Sequence, residues 1–307
     1  MSFHRSTARS LPAGLVLNAD DLGIHPSINA GILSAYRNGI LTSCTMLLTT
    51  AYMEETVRNY VRPAALPIGI HLSLTLGKAI AAPAEIPDLV DEEGNLRLSA
   101  GRLLLASYKG PKGRRLIGQI RREFMAQLAL ARDWGLQPTH ADSHQHVHMN
   151  PAVFTLLEEL LPRYGIDRLR YSRERFWGFA WRRDLLHLLK RNNPPKWVLL
   201  NWRGAQVQPQ LATSDDFFGV LYSGAVTKRA MLALLAKAST KRSLEICIHP
   251  GFPAPKGETY YPRAGYNDFI TSTARRVEHD VLVDAEVKEL VQQRGLTLRA
   301  FDGRAKV

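Results

Sequence analysis

Four short apolar runs in this chain each end in an ionisable side chain, and no other feature limits the fold as much. Gly14-Leu-Val-Leu17 leads into Asn18-Ala-Asp20-Asp21-Leu-Gly-Ile-His25, and Leu66-Pro-Ile-Gly-Ile leads into His71. A run near 137–144 carries Thr139-His140-Ala-Asp142-Ser-His144-Gln-His146-Val-His148, and Ser243-Leu-Glu-Ile-Cys-Ile leads into His249-Pro-Gly. Short apolar runs bounded by turn residues read as strands buried on both faces. A (β/α) barrel gathers acids and imidazoles from several strand ends at one point. Helical patterns alternate with the runs. Pro26–Asn38 places Ile28, Ile32 and Tyr36 on one face before Gly39. Pro151–Tyr164 is closed by Gly165, and Val226–Ala238 and Asp284–Arg294 follow later. Leu41–Thr49 and Ile166–Tyr171 read as further strands, and Ala81–Leu98 as a loop between strand and helix. With no repeat and no linker, residues 1–307 read as a single α/β domain.

The chemistry concentrates at the same strand ends. Asp20 and Asp21 carry like charges side by side, and a divalent cation is the usual means of holding such a pair. A plain Asx turn is the alternative. His71 alone reads more readily as a satisfied core residue than as a ligand. The tract 140–148 holds four of the ten histidines, and His-rich tracts bind metal. If extended, it puts His140, Asp142, His144, His146 and His148 on one face. At about 3.3 Å per residue that face is too long for one ion to touch all of it. One or two of these histidines would then bind, and the others would orient ligands by hydrogen bonds. Asn150 and Pro151 suit the N-cap and first position of the next helix.

Together the motifs Asn-Ala-Asp-Asp-x-Gly, Gly-x-His-x-x-Leu-Thr, Thr-His-x-Asp-Ser-His-x-His-Val-His and Cys-x-His-Pro resemble the YdjC-type carbohydrate deacetylase family. That family includes chitooligosaccharide deacetylases and hopanoid-biosynthesis-associated relatives. The likeness runs from about Leu15 to about Arg299. It implies a distorted, TIM-like barrel of about seven strands, related to the polysaccharide deacetylase barrels. It also implies one divalent ion, Mg²⁺ or Zn²⁺, on Asp21, His71 and His144, with Asp20 as catalytic base and His249 as catalytic acid. One carboxylate and two imidazoles leave coordination positions open, as a catalytic site requires. An N-acetylated sugar, oligosaccharide or glycolipid is the implied substrate. Two rival readings remain. One is a phosphoesterase with a second metal on His146 and His148. The other is a barrel that binds glycans or glycolipids without turnover.

A chain of 307 residues, 45% hydrophobic, can bury the core of one such barrel. No run approaches the roughly 20 apolar residues of a membrane span, and residues 1–12 lack the apolar segment of a secretory signal. Cys44 and Cys247 are too few for a disulfide framework. The expected setting is cytoplasmic, and a homodimer is compatible with it. The net charge of +12 is not explained by a deacetylase. Its basic residues cluster between Arg163 and Arg191, around Trp177 and Trp181. This stretch reads as a solvated face, or as a contact for an anionic substrate or membrane surface at the active-site mouth. Trp177, Trp181 and Trp202 could also stack on sugar rings. No nucleic-acid motif accompanies the charge, so no nucleic-acid partner is expected.

Overall fold

The protein is seen here as a computed structural model, described over residues 9–178, 193–262 and 264–306. Six strands form one parallel sheet: Gly14–Leu22 (β1), Ser43–Met46 (β2), Ile68–Leu72 (β3), Ala141–Ser143 (β4), Asp216–Phe218 (β5) and Ser243–Ile248 (β6). Their order is β4-β3-β2-β1-β6-β5, so the first strand lies at the centre. Strand twist curls the sheet into a half-barrel. The expected strand Ile166–Tyr171 is instead a connector, Asp216–Phe218 is a strand the sequence did not suggest, and the described residues hold six strands, not the seven implied by the resemblance. The connector contributes only isolated parallel bridges, from Leu169 to Ala141 and from Arg168 to Ala212.

Every residue of β1, β3 and β6 is buried, as expected for strands covered on both faces. Parallel neighbours need crossovers, and helices supply most of them. The helix Pro26–Asn38 has its predicted limits. The expected Pro151–Tyr164 helix is α-helical through Leu160, then tightens into a 3₁₀ turn, Leu161–Tyr164. Gly165 closes it at φ +75°, a left-handed conformation that glycine adopts without strain. Asn150 caps its start by accepting from the Ala152 amide. The late helices Lys228–Lys237 and Ala285–Gln293 are capped by the Thr227 and Asp284 side chains.

The longest helix, Gly110–Asp133, carries a buried polar row that ties down the loop after β3. Glu123 accepts from the Ile80 and Ala81 amides, and Gln127 exchanges hydrogen bonds with the Ser73 backbone. Among the described residues no helix is long and apolar enough to cross a membrane.

Candidate active site at the carboxyl ends of β1, β3 and β6

Strand β1 breaks its own ladder at the acidic pair. Its register with β2 is regular through Ala19↔Cys44 and shifts before Leu22↔Met46. Asp21 sits in that irregularity at φ +69°, a left-handed conformation uncommon outside glycine but one that Asp adopts more readily than most side chains. Irregularities of this kind re-aim side chains beside active sites.

Asp20 and Asp21 then enter different environments. The Asp20 carboxylate takes two 2.7 Å hydrogen bonds from the Arg170 guanidinium. It also accepts from Asn18 at 2.9 Å, Thr45 at 3.3 Å and the Cys247 thiol at 3.2 Å. Burial alone would raise its pKa, but Arg170 and His71 hold it well below the usual carboxylate range. Asp21 takes a 2.8 Å bond from Arg275 on Oδ2, while its Oδ1 stands 3.6 Å from His71 Nε2. Against the opposing effect of burial, Arg275 and the neighbouring imidazoles draw its pKa down to about 2.

Arg170 is wholly buried and is the hub of the site. Besides Asp20 it pairs with Asp142, and its Nε lies 2.5 Å from Glu245. Asp142 in turn grips His71 Nδ1 at 2.6 Å. Burial would suppress the His71 pKa, but Asp142, Asp20 and Asp21 raise it to about 9. His144 has no carboxylate on its ring; its Nδ1 meets Thr75 Oγ1 at 2.7 Å, and burial lowers its pKa to about 3. His249 is lowered to about 4, again chiefly by burial. Glu278 accepts its backbone N–H at 2.6 Å and lies 4.0 Å from a ring Nδ1 that has no hydrogen-bond partner.

These side chains meet in a cavity of about 630 Å³. Asp20, Asp21, His71, His144 and His249 all line it, together with His146, Lys196, Tyr266 and Phe269. The five residues expected from the sequence therefore share one pocket. The His-rich tract does not share one face. Strand β4 stops at Ser143, and Gln145 and His146 turn through φ +58° and +57°. His146 reaches the pocket with its Nδ1 on Ser172. His148 is held by Ser143 and the Arg170 carbonyl. His140 stacks on Phe301 at 3.6 Å, over Gly69, where a side chain would collide with its ring. His140 and His148 are therefore packing residues.

Two groups of candidate ligands have donor atoms within 4.8 Å of one another, Asp20/His71/Asp142 and Asp20/Cys247/His249. In the first, Arg170 already supplies the cation. In the second, burial pushes the Cys247 thiol far up, so it donates to Asp20 rather than acting as a thiolate ligand. The expected trio Asp21, His71 and His144 is not among these close groups. Its donors are nonetheless left available. Arg275 uses one Asp21 oxygen, Asp142 holds His71 by Nδ1 so that Nε2 faces Asp21, and Thr75 holds His144 by Nδ1. Imidazoles fixed through one nitrogen with the other free are a common support for metal ligation.

The model of the YdjC-like protein family matches residues 14–293. The chain belongs to the YdjC-like family. It is 29% identical to a carbohydrate deacetylase of Geobacillus stearothermophilus, over 81% of this chain and 85% of that one. A chitooligosaccharide deacetylase of Serratia marcescens is also 29% identical, over 94% and 97%. A solved Enterococcus faecalis V583 protein, described as a candidate for cellobiose-phosphate cleavage, superposes with a TM-score of 0.70. It is 26% identical and covers 98% of this chain and 100% of that one.

In this YdjC-like chain, sequence reasoning missed Arg170, Arg275 and Lys196. Each is one basic residue among many, with no local signal. The expected aromatic platform is altered as well. Trp177 is core, its indole N–H bonded to the Phe217 carbonyl and its ring under Arg175 at 3.9 Å. Trp181 and the end of the basic stretch, from Arg182 to Arg191, lie outside the described residues.

Proposed function

We propose that this chain is a metal-dependent carbohydrate N-deacetylase of a single barrel-like domain, working on an N-acetylated amino sugar in the cytoplasm. The observation that carries this reading is the shared pocket. An ionised Asp20, an Asp21/His71/His144 donor set and His249 all line it, and relatives across most of the chain are carbohydrate and chitooligosaccharide deacetylases. A divalent cation held by Asp21, His71 and His144 would polarise the amide carbonyl and acidify water.

The residues of the chain supply the proton traffic. Asp20, ionised and fixed by Arg170, takes the proton as water attacks. His249 cannot serve as a resting acid, because burial keeps it neutral at pH 7. It lies within 4.8 Å of Asp20, however, a span that one water molecule bridges, so the proton that Asp20 collects can pass through such a water to His249 and on to the leaving amine. Lys196 lines the same cavity and is a candidate to stabilise negative charge that develops on the substrate.

A phosphate ester is the second substrate class considered, favoured by the description of the Enterococcus faecalis protein. Metal-loaded enzyme incubated with N-acetylated chito-oligosaccharides and with sugar phosphates separates the two. Release of acetate with an equal amount of free amine supports the proposal. Phosphate release without acetate overturns it.

A further inference from the structure

Among the described residues, six large apolar side chains stand exposed: Leu105, Met125, Phe176, Val198, Trp202 and Val277. Four of the six lie on, or pack against, two helices that border the catalytic cavity or the one adjoining it. Leu105 ends the helix Ala100–Leu105, and Val198 and Trp202 sit one turn apart on the helix Asn193–Gly204. Phe176 packs edge-on to Trp197 of that second helix at 6.5 Å. Their exposures are 59%, 58%, 52% and 56%.

The two helices are joined and lead into the site. Arg203 donates to the Leu104 carbonyl at 2.8 Å, and a cavity of about 710 Å³ between Leu104, Leu199 and Phe269 shares Lys196 with the catalytic pocket. The charge around this face is one-sided. Residues 99–115 carry five basic side chains and residues 193–210 carry two, with no acid in either stretch. Arg102 and Arg173 are exposed, Arg173 lies against Gly204, and the Arg203 guanidinium covers Trp202 at 4.3 Å. Asp268 is the acid in the lining of that cavity.

Exposed aliphatic and tryptophan side chains within a basic surround match the lipid–water interface of an anionic bilayer, where apolar tips enter and arginines meet headgroups. We infer that this face docks the enzyme on an anionic membrane surface, with the mouth of the catalytic pocket at the interface. The inference does not depend on which bond the site cleaves.

Sedimentation of the full-length protein with phosphatidylcholine vesicles, with and without 30 mol% phosphatidylglycerol, tests it. Binding should require the anionic lipid and weaken between 0.1 M and 1 M salt, as the Debye length falls from about 10 Å to 3 Å. Arg102→Gln with Arg173→Gln should weaken partitioning roughly 25-fold, about fivefold for each basic side chain. Leu105→Ser with Val198→Ser should sharply reduce the salt-resistant part. Both variants should keep wild-type activity on a soluble substrate, which shows that they fold. Failure to bind anionic vesicles, equal binding to neutral ones, or unchanged binding by folded variants would each overturn the inference. So would retention on duplex DNA with the vesicles left unbound.

Discussion

Loading the proposed metal site should release about one proton per ion at pH 7, and His71 should be its source. In the metal-free protein His71 is raised to about 9, so roughly 99% of it is protonated at pH 7. Ligation through Nε2 requires that proton to leave. The other groups contribute none. His144, at about 3, is already neutral, and Asp21, at about 2, is already ionised. Apparent metal affinity should therefore rise about tenfold per pH unit from 6 to 8 and level off near 9. Calorimetric titration of the apoprotein in several buffers of different ionisation enthalpy gives the proton count as a slope. The same protonated state fixes the sign of the stability change. A raised histidine pKa stabilises the metal-free fold fully below about 6.5, and that contribution is lost as pH rises through about 9. Asp142→Asn removes the main cause of the shift. Proton release at pH 7 should then fall, and metal affinity compared near pH 9, where protons no longer compete for His71, should drop about 10–100-fold with the lost support. A slope near zero in the wild type, with affinity flat from pH 6 to 8, would refute His71 as a ligand.

Asp20→Asn should keep the metal, measured by elemental analysis, and lose about 10²–10⁴ of the rate. Loss of the ion along with activity would make Asp20 a ligand instead. His249→Gln should slow amide hydrolysis much more than hydrolysis of an acetyl ester with a good leaving group, and equal losses would remove it from the acid role. Arg170→Met leaves Asp20, Asp142 and Glu245 facing one another without their cation. Breaking a buried charge network costs about 3–5 kcal/mol, so denaturant melts should show a large loss of stability. A variant as stable as wild type would mean the three carboxylates do not depend on Arg170.

The strands that carry the site were legible because burial on both faces leaves a plain apolar run, and each of these ended in reactive side chains, two on β1 and one each on β3 and β6. β1, β3 and β6 are read this way, and Asp20, Asp21, His71, His144 and His249 reach one cavity. Alternation misled at residues 140–148. Nothing local announced that Gln145 and His146 would turn left-handed, because tertiary packing and not propensity holds them there. Ile166–Tyr171 has strand composition but pairs through single bridges only. Arg170 and Arg275 could not be found from sequence. Their distinction is long-range, Arg170 reaching Asp20 across 150 residues and Arg275 reaching Asp21 across 254. The lowered pKa of His249 was hidden for the same reason, since burial is a property of the folded site.

The most direct test of the account is the position of the metal itself. Crystals of the protein grown with Zn²⁺ and measured at the zinc absorption edge should give one anomalous peak, bonded to Asp21, His71 Nε2 and His144, and no such peak for His144→Ala. A peak on Asp20, Cys247 and His249, or full occupancy after His144 is removed, would contradict it.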